Sequence, residues 1–138
     1  MPASTYSGNA LLNLLLRGVA FSAPARVYLS LHTADPGLTG ANEVSTGDWP
    51  AYARQDPAQG AAVGTGFGAA AAKATDNAKE ILFPAHNGGS NITVTHFGIW
   101  DASTAGNLLW YGALTASKTL FPTDEAVWKI GELDLSVT

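Results

Sequence analysis

Three histidines, His32, His86 and His96, are the side chains of this sequence best suited to hold a metal or move a proton near neutral pH. Metal sites are usually built on short spacings such as HxH or HExxH, which set two imidazoles on one face of an element. These three show no such spacing. His32 and His96 fall in predicted strands, where packed or hydrogen-bonded imidazoles are expected. The acid pairs Asp124-Glu125 and Glu132/Asp134 could serve general acid–base catalysis only in a cleft that raises one pKa. The first sits at a predicted turn and the second on an outward strand face, so solvated carboxylates are the expectation. Gly64-Thr65-Gly66-Phe67-Gly68 has the glycine density of a phosphate loop but lacks the lysine and the strand-loop-helix frame. Asn91-Ile92-Thr93 matches the glycosylation tripeptide, and without an export signal it is read as a chance match on a strand. The absence of cysteine excludes thiol nucleophiles and cysteine-ligated metals. The seven basic residues run from Arg17 to Lys129 without clustering, so no electrostatic footprint for nucleic acid is present. The expectation is a protein that is not an enzyme and has no catalytic residue, metal or cofactor.

The elements that carry these residues begin with a helix. Leu11, Leu12, Leu14, Leu15 and Leu16 give it an apolar surface, Thr5 or Ser7 is the candidate N-cap, and Gly18 stops it. Its leucines are too many for one stripe. They imply a helix clamped between a sheet and a neighbouring subunit, or one tucked across the open end of its own fold. In Arg26-Val27-Tyr28-Leu29-Ser30-Leu31-His32, Val27, Leu29 and Leu31 share one face, the pattern of a half-buried strand. Further strands are predicted at 78–83, 91–100, 107–114, 126–130 and 132–137, with another near 52–56; residues 101–106 close a hairpin. In the last strand Leu133, Leu135 and Val137 are expected to face inward. Residues 33–51 and 56–76 are long loops rich in Gly and Pro, the second a candidate edge strand or arm. The sum is a single domain over 1–138 that is mainly β: a β-sandwich of jelly-roll or Greek-key kind on residues 26–138, preceded by an N-terminal helix and arm on 1–25.

Composition narrows the role. Of 138 residues only 13% are charged against 46% hydrophobic, and the net charge is −4, whereas roughly 25% charged is usual. So sparse a surface suits a chain partly covered by a partner, although a flat sandwich with small side chains would give the same composition. No segment is apolar over the roughly 20 residues that a membrane span needs, and the start is a poor signal peptide. The chain is therefore expected to be made and kept in the cytoplasm until a particle carries it out. Trp49, in the loop 33–51, is a candidate contact anchor, or a ring folded back on its own core.

Several stretches form one ordered set: Leu11-Leu12-Asn13, Arg17-Gly18-Val19-Ala20-Phe21-Ser22-Ala23-Pro24 and Val27-Tyr28-Leu29-Ser30-Leu31-His32-Thr33-Ala34-Asp35-Pro36-Gly37. The set continues through Glu43-Val44, Tyr52-Ala53-Arg54-Gln55, Ile81-Leu82-Phe83-Pro84, Val94-Thr95-His96-Phe97-Gly98-Ile99-Trp100-Asp101 and Gly106-Asn107-Leu108-Leu109-Trp110-Tyr111-Gly112-Ala113-Leu114. Taken together these stretches resemble a family of small tailed-phage virion proteins, members of which are often called phage tail fibre proteins. The resemblance implies a structural component of the virion. The placement expected first is a capsid decoration or cement protein, favoured as a trimer bound to the major capsid protein over the outer lattice, where it stabilises the head; the alternative is a tail fibre, tail-tip or baseplate component. The expected partners are copies of the chain and other virion proteins, with interface residues Leu12, Leu16, Trp49, Tyr52 and Arg54. A carbohydrate-binding alternative would use Trp49, Trp100, Trp110, Trp128 or Tyr111 as a stacking platform, which requires two of these rings exposed on one face.

Overall fold

The computed structural model describes residues 1–138, in which one helix is followed by seven strands. Helix α1 (Thr5–Arg17) precedes β1 (Tyr28–His32), β2 (Ala74–Asp76), β3 (Ile81–Leu82), β4 (Ile92–Trp100), β5 (Leu108–Leu120), β6 (Val127–Trp128) and β7 (Asp134–Ser136). All strand pairing is antiparallel. β1, β4 and β5 form a three-stranded sheet with β4 in the centre, while β2–β7 and β3–β6 are two-stranded ribbons. The mainly β fold with its N-terminal helix is the one expected.

The central sheet forms where apolar residues occupy both faces of the sequence pattern. Leu29 pairs with Ile99 and Leu31 with Phe97, and these four pack with Trp49, Tyr52, Ile81, Phe83, Trp128 and Leu133 into the main core. The ribbon β3–β6 thereby covers one face of the sheet. The opposite face carries a smaller cluster of Trp100, Leu108 and Tyr111. Gly40 lies against it with φ 86°, and a Cβ there would meet the Trp100 ring at 2.4 Å. Both the left-handed backbone and the close approach require glycine.

Several boundaries differ from the sequence expectation. The strand expected at 52–56 is reduced to a bridge between Leu29 and Gln55, and that at 78–83 shrinks to β3. β5 runs on to Leu120 beyond a wide bulge: Val94 pairs with Lys118 and His96 with Ala113, leaving residues 114–117 opposite Thr95. In the last strand Leu133 is buried, Leu135 half-buried and Val137 46% exposed, because β7 pairs only with β2 and peels away from the core. Residues 33–51 contain a single 3-10 turn, Gly37–Thr39, and are drawn inward by Pro36, Val44 and Trp49, all buried. Residues 56–76 hold a second 3-10 turn, Val63–Thr65, and end in β2, the edge strand anticipated there.

The two-residue loop Ala72-Lys73 closes a tight hairpin in which Ala71 and Ala74 exchange both backbone hydrogen bonds at 2.9 Å. Both loop residues sit at positive φ, 50° and 64°, a geometry that Asn-Gly adopts far more readily. The double substitution Ala72→Asn/Lys73→Gly is expected to stabilise the fold by about 1 kcal/mol, measured by urea unfolding. A loss of stability would show that Ala72 or Lys73 makes a compensating contact.

Candidate functional site

The N-cap of helix α1 is Ser4, not Thr5 or Ser7. The Ser4 side chain accepts a hydrogen bond from the Ser7 amide at 3.1 Å and donates one to the Leu108 carbonyl, while its own amide reaches the Leu109 carbonyl at 3.2 Å. A buried cap thus pins the first turn to β5. At the other end Gly18 turns left-handed at φ 65°, and Arg17 sits in the last turn, where the helix dipole favours a cation. Between these ends no residue of α1 is buried.

At 3.6 residues per turn the five leucines divide between two directions. Leu11 and Leu14, with Ala10 and Phe21, line a shallow apolar groove floored by Leu109 and Trp110. Leu12, Leu15 and Leu16 point away, 58%, 71% and 76% exposed. Eight of the thirteen large apolar side chains left exposed on the whole chain lie between Tyr6 and Phe21, so the apolar surface is concentrated on this one arm. A leucine fully withdrawn from water contributes roughly 1.5–3 kcal/mol. Burying five would release several kcal/mol, on the scale of the about 4–15 kcal/mol that association costs.

On the other side of Trp110 lies a second apolar groove of about 340 Å³. Val27, Phe67, Ile99, Leu109, Trp110 and Leu135 form its walls, and the hairpin leading into β2 supplies one rim. The two grooves share Leu109 and Trp110.

The remaining residues singled out in the sequence act inside the chain. Trp49 is fully buried, the second of the two placements considered for it, with its ring 5.5 Å from those of Tyr52 and His86. Tyr52 is also buried; its hydroxyl donates to Glu43 at 2.9 Å and accepts from the Leu31 amide at 3.0 Å. Arg54 forks onto the Glu43 carboxylate at 2.9 and 2.7 Å and donates to the carbonyls of Ala102 and Ala105 at 3.0 and 2.8 Å. Its guanidinium lies 3.8 Å from the centre of the Trp100 ring. Of the five expected interface residues, only Leu12 and Leu16 are solvent-facing. The carbohydrate alternative required two exposed rings on one face, yet Trp49, Trp100, Trp128 and Tyr111 are all buried and only Trp110 is partly exposed.

The profile of the family described as Podophage GP4 fiber I protein gp80 matches residues 2–136. The chain belongs to that family. No curated protein matches it. Membership of the fiber I family makes the chain a structural component of a tailed-phage virion, and no helix is long and apolar enough to cross a membrane. The leucine excess of α1 over one stripe was visible in the sequence, which left open whether a neighbour or its own chain would cover it; the structure leaves most of it exposed. Ser4 and Trp110 as its anchor and floor were not visible in the sequence, because their roles depend on where β5 passes.

The polar residues of the chain that first invite a chemical reading are engaged structurally. His32 is buried, with Nδ1 donating to the Ala41 carbonyl at 2.7 Å and Nε2 facing the Ser30 hydroxyl at 2.7 Å; the same hydroxyl oxygen accepts from Trp100 Nε1 at 2.8 Å. His86 Nε2 donates to the Ser90 carbonyl at 2.6 Å. Asp124 and Glu132 accept from the Phe121 and Lys129 amides and thereby cap turns.

These environments set the pH profile of stability. Burial pushes the pKa of His32 below its ordinary 6.5, outweighing the upward pull of the Ala41 carbonyl and of Glu43. The unfolded chain then binds more protons, so stability is complete above 6.5 and declines as pH falls below it. Burial alone would raise Glu43, but the hydrogen bonds and charge of Arg54, helped by Tyr52, hold it below its ordinary 4.5, so its contribution is lost at lower pH still. Burial, then the charge of Glu43, raises Tyr52 well above its ordinary 10.0, so stability falls again once unfolded tyrosine ionises. The melting temperature is expected to be flat from roughly pH 7 to 9.5 and to fall on both sides, with His32→Gln removing the slope between about pH 6.5 and 5. A wild-type profile flat down to pH 5 would contradict this assignment.

Proposed function

We propose that the protein is a fibre-associated structural subunit of the tailed-phage particle, assembled with its own copies and with other virion proteins through the leucine face of α1. One observation carries this reading: a 13-residue helix, capped at both ends, of which no residue is fully buried by its own chain and whose Leu12, Leu15 and Leu16 face solvent. A helix of that length is not stable on apolar residues left in water, and its leucines find their burial in an assembly. The description of the family as a fiber protein supports placement at a fibre. The sparse surface charge suits capsid decoration equally, and a trimer suits either place.

The test is electron microscopy of intact particles labelled through this protein, paired with the variant Leu12→Glu/Leu16→Glu. Label at fibres is the expected outcome, and label over the whole head would transfer the protein to capsid decoration. The variant is expected to keep the wild-type melting temperature but to fall at least about tenfold in particle incorporation, since each 1.4 kcal/mol of lost contact is tenfold in affinity. Incorporation at the wild-type level would remove α1 from the assembly surface.

A further inference from the structure

We propose that the leucine face of α1 seats in the Trp110 groove of a second copy of this chain, so that copies join head to tail into a closed assembly. The inference rests on reading α1 as the docking element and names its partner surface.

The chain carries two apolar surfaces of different shape, and it satisfies neither of them. The first is convex. Leu12, Leu15 and Leu16 stand at the i, i+3, i+4 spacing of one helix face, and no charged side chain precedes Arg17 in the sequence. The second is concave: the groove between Trp110 and the β2–β7 ribbon, with Val137, 46% exposed, at its edge and Lys73 as its only charged lining residue. The chain's own α1 does not fill this groove. Ser4 ties its first turn to Leu108 and Leu109, and its inner leucines cover the neighbouring groove on the other side of Trp110.

The chemistry of the two surfaces selects the occupant. A groove whose lining is nine apolar residues with Lys73, Thr75 and Ser136 gives a charged partner little to recognise, and it gives uncharged, branched side chains a place to bury. The outer face of α1 supplies such side chains, and every copy of the chain brings both halves of the contact. Arg17 and Lys73 carry like charge, so the helix is expected to lie with Leu12 nearer the Lys73 rim and Arg17 away from it. Because the contact joins two different surfaces, it repeats from copy to copy and closes when the rotation between copies permits.

The experiment is light scattering on the full chain and on two variants, Leu12→Glu/Leu16→Glu, which spoils the helix and spares the groove, and Val137→Glu, which does the reverse. The wild type is expected to scatter as an assembly of 14.2 kDa chains and each variant as a monomer, with unchanged circular dichroism. Mixed at equal concentration, the two variants retain one intact helix and one intact groove, and the mixture is expected to give a species of about two chains. A monomeric wild type, a Val137→Glu chain that still assembles, or a mixture that stays monomeric would each overturn the proposal. Helix packed on helix would give the second of these results. None of them bears on whether the protein labels fibres, so the placement in the particle stands or falls separately.

Discussion

Replacing Trp49 with alanine is expected to destabilise the fold by about 3–5 kcal/mol, the range for deleting a large buried aromatic. The side chain is fully buried and sits at the junction of the loop 33–51 with the main core. Its ring meets those of Tyr52 and His86 at 5.5 Å and Phe83 at 6.2 Å, and Phe83 in turn meets Trp128 at 5.8 Å. Each such pair adds about 0.5–1.5 kcal/mol to simple area burial. The backbone preceding Trp49 is itself closely packed: a Cβ on Gly88 would lie 1.8 Å from the Asp48 carbonyl oxygen. Against a total stability of about 5–15 kcal/mol for a domain, the substitution removes a large fraction. Urea unfolding is the measurement, with Trp49→Phe expected to lose less than half as much. A loss below about 1 kcal/mol would mean that the ring is not the keystone of this cluster.

The second large effect is expected at Arg54. Removing the guanidinium in Arg54→Ala leaves the Glu43 carboxylate, 22% exposed, without its partner and two loop carbonyls without their donor. Breaking a buried pair from one side costs about 3–5 kcal/mol; since Glu43 keeps some contact with water, the expectation is about 3 kcal/mol. Arg54→Lys is expected to recover little, since an ammonium cannot span a carboxylate and two carbonyls or lie flat on the Trp100 ring. Adding Glu43→Gln to Arg54→Ala is expected to return part of the loss, because the stranded charge is then gone. If the double variant is less stable than the single one, Arg54 acts through the carbonyls and Trp100, not through Glu43.

Much of the sheet was legible in the sequence because its signals are local. Residues 91–100 alternate apolar groups on both faces and become the central strand β4, and Asp101 to Gly106 forms the hairpin tip, where Asp101 accepts from the Asn107 amide at 2.7 Å. The leucine run of α1 and the glycine stop at 18 were readable for the same reason. What escaped depends on partners distant in the chain. Nothing within the neighbourhood of Trp49 indicates that Phe83 and His86 will enclose it, and Arg54 finds its acceptors 11, 48 and 51 residues away. A tryptophan or an arginine in a turn-rich loop reads equally well as a contact residue or as a brace, and only the fold separates the two. Leu12 and Leu16 carried the same ambiguity, since an excess of leucine fits a helix clamped by a neighbouring subunit as well as one tucked across its own fold, and it is the structure that leaves both side chains exposed.

The arrangement around Arg54 also limits how this surface can change over time. One guanidinium holds Glu43 from one loop and Ala102 and Ala105 from another, and Trp100 is covered by Gly40 from the loop that leads to Glu43. The loops at this end of the molecule are therefore not interchangeable modules of the kind that let a binding surface diversify one segment at a time. Lengthening one would shift the acceptors of the others, so variation here has to be concerted. Exposed segments free of this constraint are where grafted sequence would be carried with least disturbance.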